Sequence, residues 1–99
     1  MRLTAKQVNV IRGVVNDLAG EAAVVHLFGS RVDDQAKGGD IDLLVELPYP
    51  VEEPAWLSAR ISSKISMLMD GRKVDVLLDA PNLSQYPIHD VARTEGVRL

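Results

Sequence analysis

The sequence predicts a small α/β domain in which helices flank a mixed sheet of three strands. Short β-branched runs alternate with longer stretches at helical spacing, and glycine or proline marks nearly every change between them. In the middle of the chain, strand, helix and strand follow one another as a βαβ unit, which should be parallel and right-handed.

The elements read in the order αβ(α)βαβα. Thr4 with Gln7 fits a capping box, and Val8, Ile11, Val15 and Leu18 recur at helical spacing, so a first amphipathic helix runs from about Thr4 to Leu18 and closes at Gly20. Gly13 inside it costs up to about 1 kcal/mol against alanine. Ala22 to Phe28 is apolar, β-branched and too short for a typical helix, which makes it a strand ending at Gly29. In the loop from Ser30 to Gly39, Ser30 can cap a short helical turn across Arg31 to Gln35 before Gly38 and Gly39 free the backbone. A second strand runs from about Asp40 to Leu47 and stops at Pro48. Pro54 suits the first turn of a helix whose stripe is Leu57, Ile61, Ile65 and Leu68, reaching about Asp70 before Gly71. Lys73 to Asp79 alternates as a third strand. After a loop from Ala80 to Pro87, Ile88 to Glu95 forms a last helix ended by Gly96.

At 99 residues, with 46% hydrophobic and 25% charged, the chain reads as one globular domain, residues 1–99, without repeats or linkers. A net charge of −3 and a pI near 5.2, with no lysine or arginine block, disfavour direct binding to a long nucleic-acid backbone. A small phosphate ligand escorted by Mg²⁺ stays within reach, because the metal brings its own charge. The absence of cysteine excludes disulfides, thiolate catalysis and cysteine-based zinc sites. The start of the chain lacks a signal-type apolar region and no apolar run is long enough for a membrane span, so the expected location is cytoplasmic.

Leu27 to Val45 concentrates the chemistry. Asp40 and Asp42 alternate at the start of a strand, so both carboxylates share one face, their Cα atoms about 6.6 Å apart at about 3.3 Å per residue. Two like charges on one strand face repel, and a divalent cation is the economical reason for them. Asp75 is a third acid set into an apolar strand; a plainer reading pairs it with Lys73 or Arg72. If the first strand is antiparallel to the second, one sheet edge gathers Gly29, Ser30, Asp40, Asp42 and Asp75. Gly29 lets a phosphate approach the backbone, Ser30 offers a hydroxyl, and Arg31 is a candidate phosphate contact whose plainer role is a solvated surface arginine. Asp79 shares the parity of Asp75 but sits too far along the strand to join the site. His26 and His89 have no partner at ligand spacing and are read as packing residues. Neither a Walker A loop nor an EF-hand loop is present.

Leu27-Phe28-Gly29-Ser30-Arg31, then Asp40-Ile41-Asp42-Leu43-Leu44-Val45, with Val74-Asp75-Val76 downstream, resembles the minimal nucleotidyltransferase family of the DNA polymerase β-like superfamily. The likeness spans nearly the whole chain; Gly39 departs from the serine common before the acid pair. It implies a polymerase β palm-like fold. It also implies a Mg²⁺-dependent transferase, an antitoxin that moves AMP from ATP to a tyrosine of a cognate HEPN-domain ribonuclease toxin. Asp40 and Asp42 would hold two Mg²⁺ ions, Asp75 would ligate the second or act as base, and Gly29, Ser30 and Arg31 would hold the β and γ phosphates of ATP.

Two other readings stand beside this one. The chain is alternatively a binding antitoxin that masks its toxin by contact without catalysis, with Trp56, Met67 and Met69 off the main stripe of the crossover helix as the contact surface. Nucleotidyl transfer to a nucleic acid is the third, and the acidic balance disfavours it.

Overall fold

The computed structural model describes residues 3–29 and 40–99. The helical turn expected across Arg31 to Gln35, and the site residues Ser30 and Arg31, lie outside the described residues. Among those described, seven elements follow in order: α1 (Ala5–Ala19), β1 (Val24–Phe28), β2 (Ile41–Glu46), α2 (Pro54–Leu68), β3 (Val74–Asp79), α3 (Pro87–Glu95) and β4 (Val97–Arg98). Among the described residues no helix is long and apolar enough to cross a membrane.

Local chemistry accounts for the ends. The Thr4 hydroxyl accepts from the Gln7 amide at 3.1 Å while the Gln7 side chain accepts from the Thr4 amide at 2.9 Å, the reciprocal cap its spacing predicts for α1. Pro54 opens α2, where its missing N–H costs nothing. α2 ends at Leu68, so Met69 leaves the helical register with φ −125° and turns into the core at 5% exposure. It is therefore not part of the exposed surface expected to include it.

The sheet has four strands rather than the three expected, in the order β3-β2-β1-β4. β2 and β3 are parallel across the α2 crossover, and β1 is antiparallel to both β2 and β4. β4 escaped the pattern because a two-residue strand carries no alternation; its pairing, not its composition, makes it one. Gly96 makes the turn possible. Its amide donates to the Ala92 carbonyl at 3.1 Å, and a Cβ there would overlap that oxygen and come within 2.9 Å of the Leu27 carbonyl. The chain then runs back along β1, and the Leu99 amide donates to the Val25 carbonyl at 2.9 Å.

The two sheet faces differ. Val25, Leu27, Ile41, Leu43, Val45, Val74 and Leu78 pack with Ile11, Val14 and Val15 of α1 and Ile61 and Ile65 of α2 into the main core. Each such side chain contributes about 1.5–3 kcal/mol of burial. The opposite face is partly covered by α3, where Leu44 and Ala92 are fully buried. His89 ties this helix to the sheet: its Nδ1 accepts from the Tyr86 amide and its Nε2 donates to the Leu78 carbonyl, both at 3.0 Å. With the Ser62 hydroxyl donating to the Val74 carbonyl, two outward-facing carbonyls of the edge strand β3 are covered, which blunts that edge against pairing with another strand.

Candidate active site

The antiparallel step between β1 and β2 brings the end of one strand to the start of the next. Phe28 lies opposite Asp42, and Asp42 lies opposite Asp75 on the parallel neighbour. One position before the Ile41–Val74 pair stand Asp40 and Lys73, on the same face by strand parity. The arrangement brings Gly29, Asp40, Asp42 and Asp75 to a single sheet edge.

Gly29 holds φ +76°, a left-handed conformation that disfavours any Cβ. Space makes the same demand, because a Cβ at Gly29 would collide with a carboxylate oxygen of Asp42. The backbone thus passes directly against the central acid of the group.

Asp42 is half-buried, whereas the Asp40 and Asp75 side chains are 55% and 56% exposed. Burial pushes the Asp42 carboxyl above the usual carboxylate range, and the negative charges of Asp75 and Asp40 push it further in that direction; Lys73 pulls the other way. The Lys73 ammonium sits 3.9 Å from an Asp40 oxygen and 4.0 Å from an Asp75 oxygen, shared between the two. Sequence reading offers Lys73 only as a plain partner for Asp75. Its contact with Asp40 depends on strand register, which local spacing does not give.

As the side chains stand, no three metal-ligating groups among the described residues surround one point closely enough to hold an ion. The donors nonetheless suit Mg²⁺, which takes hard oxygen ligands and is usually held by one or two carboxylates together with substrate phosphates, not by an all-protein cage. Asp42 with either exposed neighbour supplies that pair.

A groove of about 780 Å³ runs between α1 and α2, lined by Val10, Leu18, Trp56 and Met67 among others. Those helices cover the other face of the sheet, so the groove is separate from the acids. Trp56, Met67 and Leu68 are exposed beside it, Leu68 against the expectation that it closes the buried stripe of α2, and the Arg60 guanidinium lies 4.8 Å from the centre of the Trp56 ring.

A family model described as a nucleotidyltransferase domain matches residues 8–95. The chain belongs to the nucleotidyltransferase domain family. The match runs from within α1 to the end of α3 and so takes in the whole acid edge. No curated protein matches the chain. As a member of this family the protein is a transferase that acts on a nucleotide substrate. Among the described residues, the mixed four-stranded sheet with three helices is compatible with the nucleotidyltransferase fold.

Proposed function

We propose that the protein is a Mg²⁺-dependent adenylyltransferase that moves AMP from ATP to a tyrosine of a cognate HEPN-domain ribonuclease toxin and so neutralises it. The observation that supports nucleotidyl transfer at this edge is the register that sets Asp42 opposite Asp75, with the Gly29 backbone against the Asp42 carboxylate; the toxin tyrosine as acceptor rests on the resemblance carried by the Gly29-Ser30 and Asp40-Ile41-Asp42 motifs. Asp40, Asp42 and Asp75 are the metal-holding acids, and Gly29 with Ser30 and Arg31 receives the β and γ phosphates. Bound Mg²⁺ supplies neutralisation of phosphate charge and acidifies a hydroxyl nucleophile.

Asp75, exposed at the sheet edge, either joins Asp40 and Asp42 in holding the metal or accepts the proton of the incoming hydroxyl. The freed oxygen bonds to the α phosphorus as the bond from that phosphorus to the α–β bridging oxygen breaks, and pyrophosphate leaves with the electron pair. Gly29 allows the leaving phosphates to lie along main chain without a side chain in the way. The chain's part is positioning and electrostatics, as in phosphoryl transfer generally.

The exposed Trp56, Met67 and Leu68 favour a second reading, an antitoxin that masks its toxin by contact. Intact-mass spectrometry of the toxin after incubation with ATP and Mg²⁺ separates the two. A gain of one or more AMP units with the wild-type protein, lost with Asp42→Asn, is the expected result. Neutralisation of the toxin with no change in its mass would overturn catalysis in favour of masking.

A further inference from the structure

The position of Lys73 suggests a role beyond a surface ion pair. It immediately precedes β3, with the parity of Asp75, and one position before the Ile41–Val74 pair it stands beside Asp40, the residue before β2. Its ammonium lies 3.9 Å from Asp40 and 4.0 Å from Asp75. One flexible cation is therefore shared between two of the three acids.

We infer that Lys73 is a tethered counter-ion that competes with a divalent cation for the acid edge, so that metal binds weakly alone and strongly only when it arrives with a nucleotide. This rests on the reading of Asp40, Asp42 and Asp75 as metal-holding acids. Without metal, the ammonium offsets the mutual repulsion of the carboxylates. A divalent ion must displace it, and a metal carrying phosphates gives the displaced ammonium a new anionic partner. Lysine suits this task better than arginine, being a compact point charge on a four-carbon stem with three rotatable donors. Its 67% side-chain exposure leaves it room to swing.

The test uses the whole chain and Mn²⁺ alone, with binding followed by the loss of the free-ion paramagnetic resonance signal. An ion pair near 4 Å in water-like surroundings is worth about 1 kcal/mol, which makes Lys73→Gln bind Mn²⁺ about three- to tenfold more tightly than wild type. Arg72→Gln removes the same charge one residue away and should change affinity less than about twofold. In the presence of a non-hydrolysable ATP analogue, the Lys73→Gln advantage should vanish or reverse. Circular dichroism confirms that each variant is folded, as is expected for exposed positions. Equal Mn²⁺ affinity in wild type and Lys73→Gln overturns the inference alone, as does an equal gain in Arg72→Gln. Failure of wild type and Lys73→Gln alike to bind Mn²⁺, with and without nucleotide, overturns the metal reading itself.

Discussion

Two ends of one sheet face carry the same juxtaposition with opposite outcomes. β2 holds Asp42 and Glu46, β3 holds Asp75 and Asp79, and the register sets Asp42 against Asp75 and Glu46 against Asp79. At the far end each acid has its own partner. Glu46 meets the Nε2 of His26, and Asp79 accepts from Arg93 on one oxygen and from Gln85 on the other, each at 2.5 Å. At the near end Asp40 joins as a third acid, and among the described residues one exposed lysine is shared between Asp40 and Asp75. The fold can therefore satisfy paired acids on this face and does so four residues away. Among the described residues, concentrating like charge at the other end leaves an unfavourable interaction that a bound cation would relieve, which is what the proposed metal site requires.

The sharpest way to break this comparison is Asp42→Asn. Changing a partner that merely orients a metal ligand costs 10–100-fold, so if Asp42 holds metal as proposed, its removal should lower nucleotidyl transfer by at least about a hundredfold. Stability should move the other way. A carboxyl whose folded-state pKa is raised destabilises the fold above that pKa, and this penalty disappears as pH falls below the unfolded value. The variant should thus be more stable than wild type in metal-free solution at neutral pH, and the advantage should fade toward acid pH; denaturant titrations across pH check it.

Gly29→Ala should cost about 1–3 kcal/mol from its left-handed φ, with further loss of activity because the new Cβ pushes on Asp42. Thermal unfolding and transfer rate would fall together. Asp79→Asn, at the paired end, should cost about 1.5–3 kcal/mol through its weakened bond to Arg93 while the folded protein keeps its transfer rate. Glu46→Gln is the mildest, about 0–1 kcal/mol with activity unchanged, since that pair is partly solvated.

Much of this architecture was legible in the residues themselves. The Thr4–Gln7 box, the punctuation at Gly20, Gly29, Pro54 and Gly71, and the parity of Asp40, Asp42 and Asp75 are local signals, and the structure places those elements within a few residues of expectation. What local pattern could not supply was register and context. β4 exists only because Gly96 lets the chain double back on Leu27, and Met69 is buried only because α2 stops one residue before it. Likewise, the spacing that suggests Lys73 as a partner for Asp75 says nothing of Asp40, whose proximity is a product of the parallel crossover.

The central claim is that nucleotide and metal meet at the Gly29, Asp42 and Asp75 end of this face. Proton–nitrogen correlation spectra recorded while substoichiometric Mn²⁺ is added with a non-hydrolysable ATP analogue test it most directly. The amides of Gly29, Asp42 and Asp75 should broaden first, ahead of those of Glu46 and Asp79. Broadening that begins at Glu46 and Asp79, or in the groove between α1 and α2, would contradict the account.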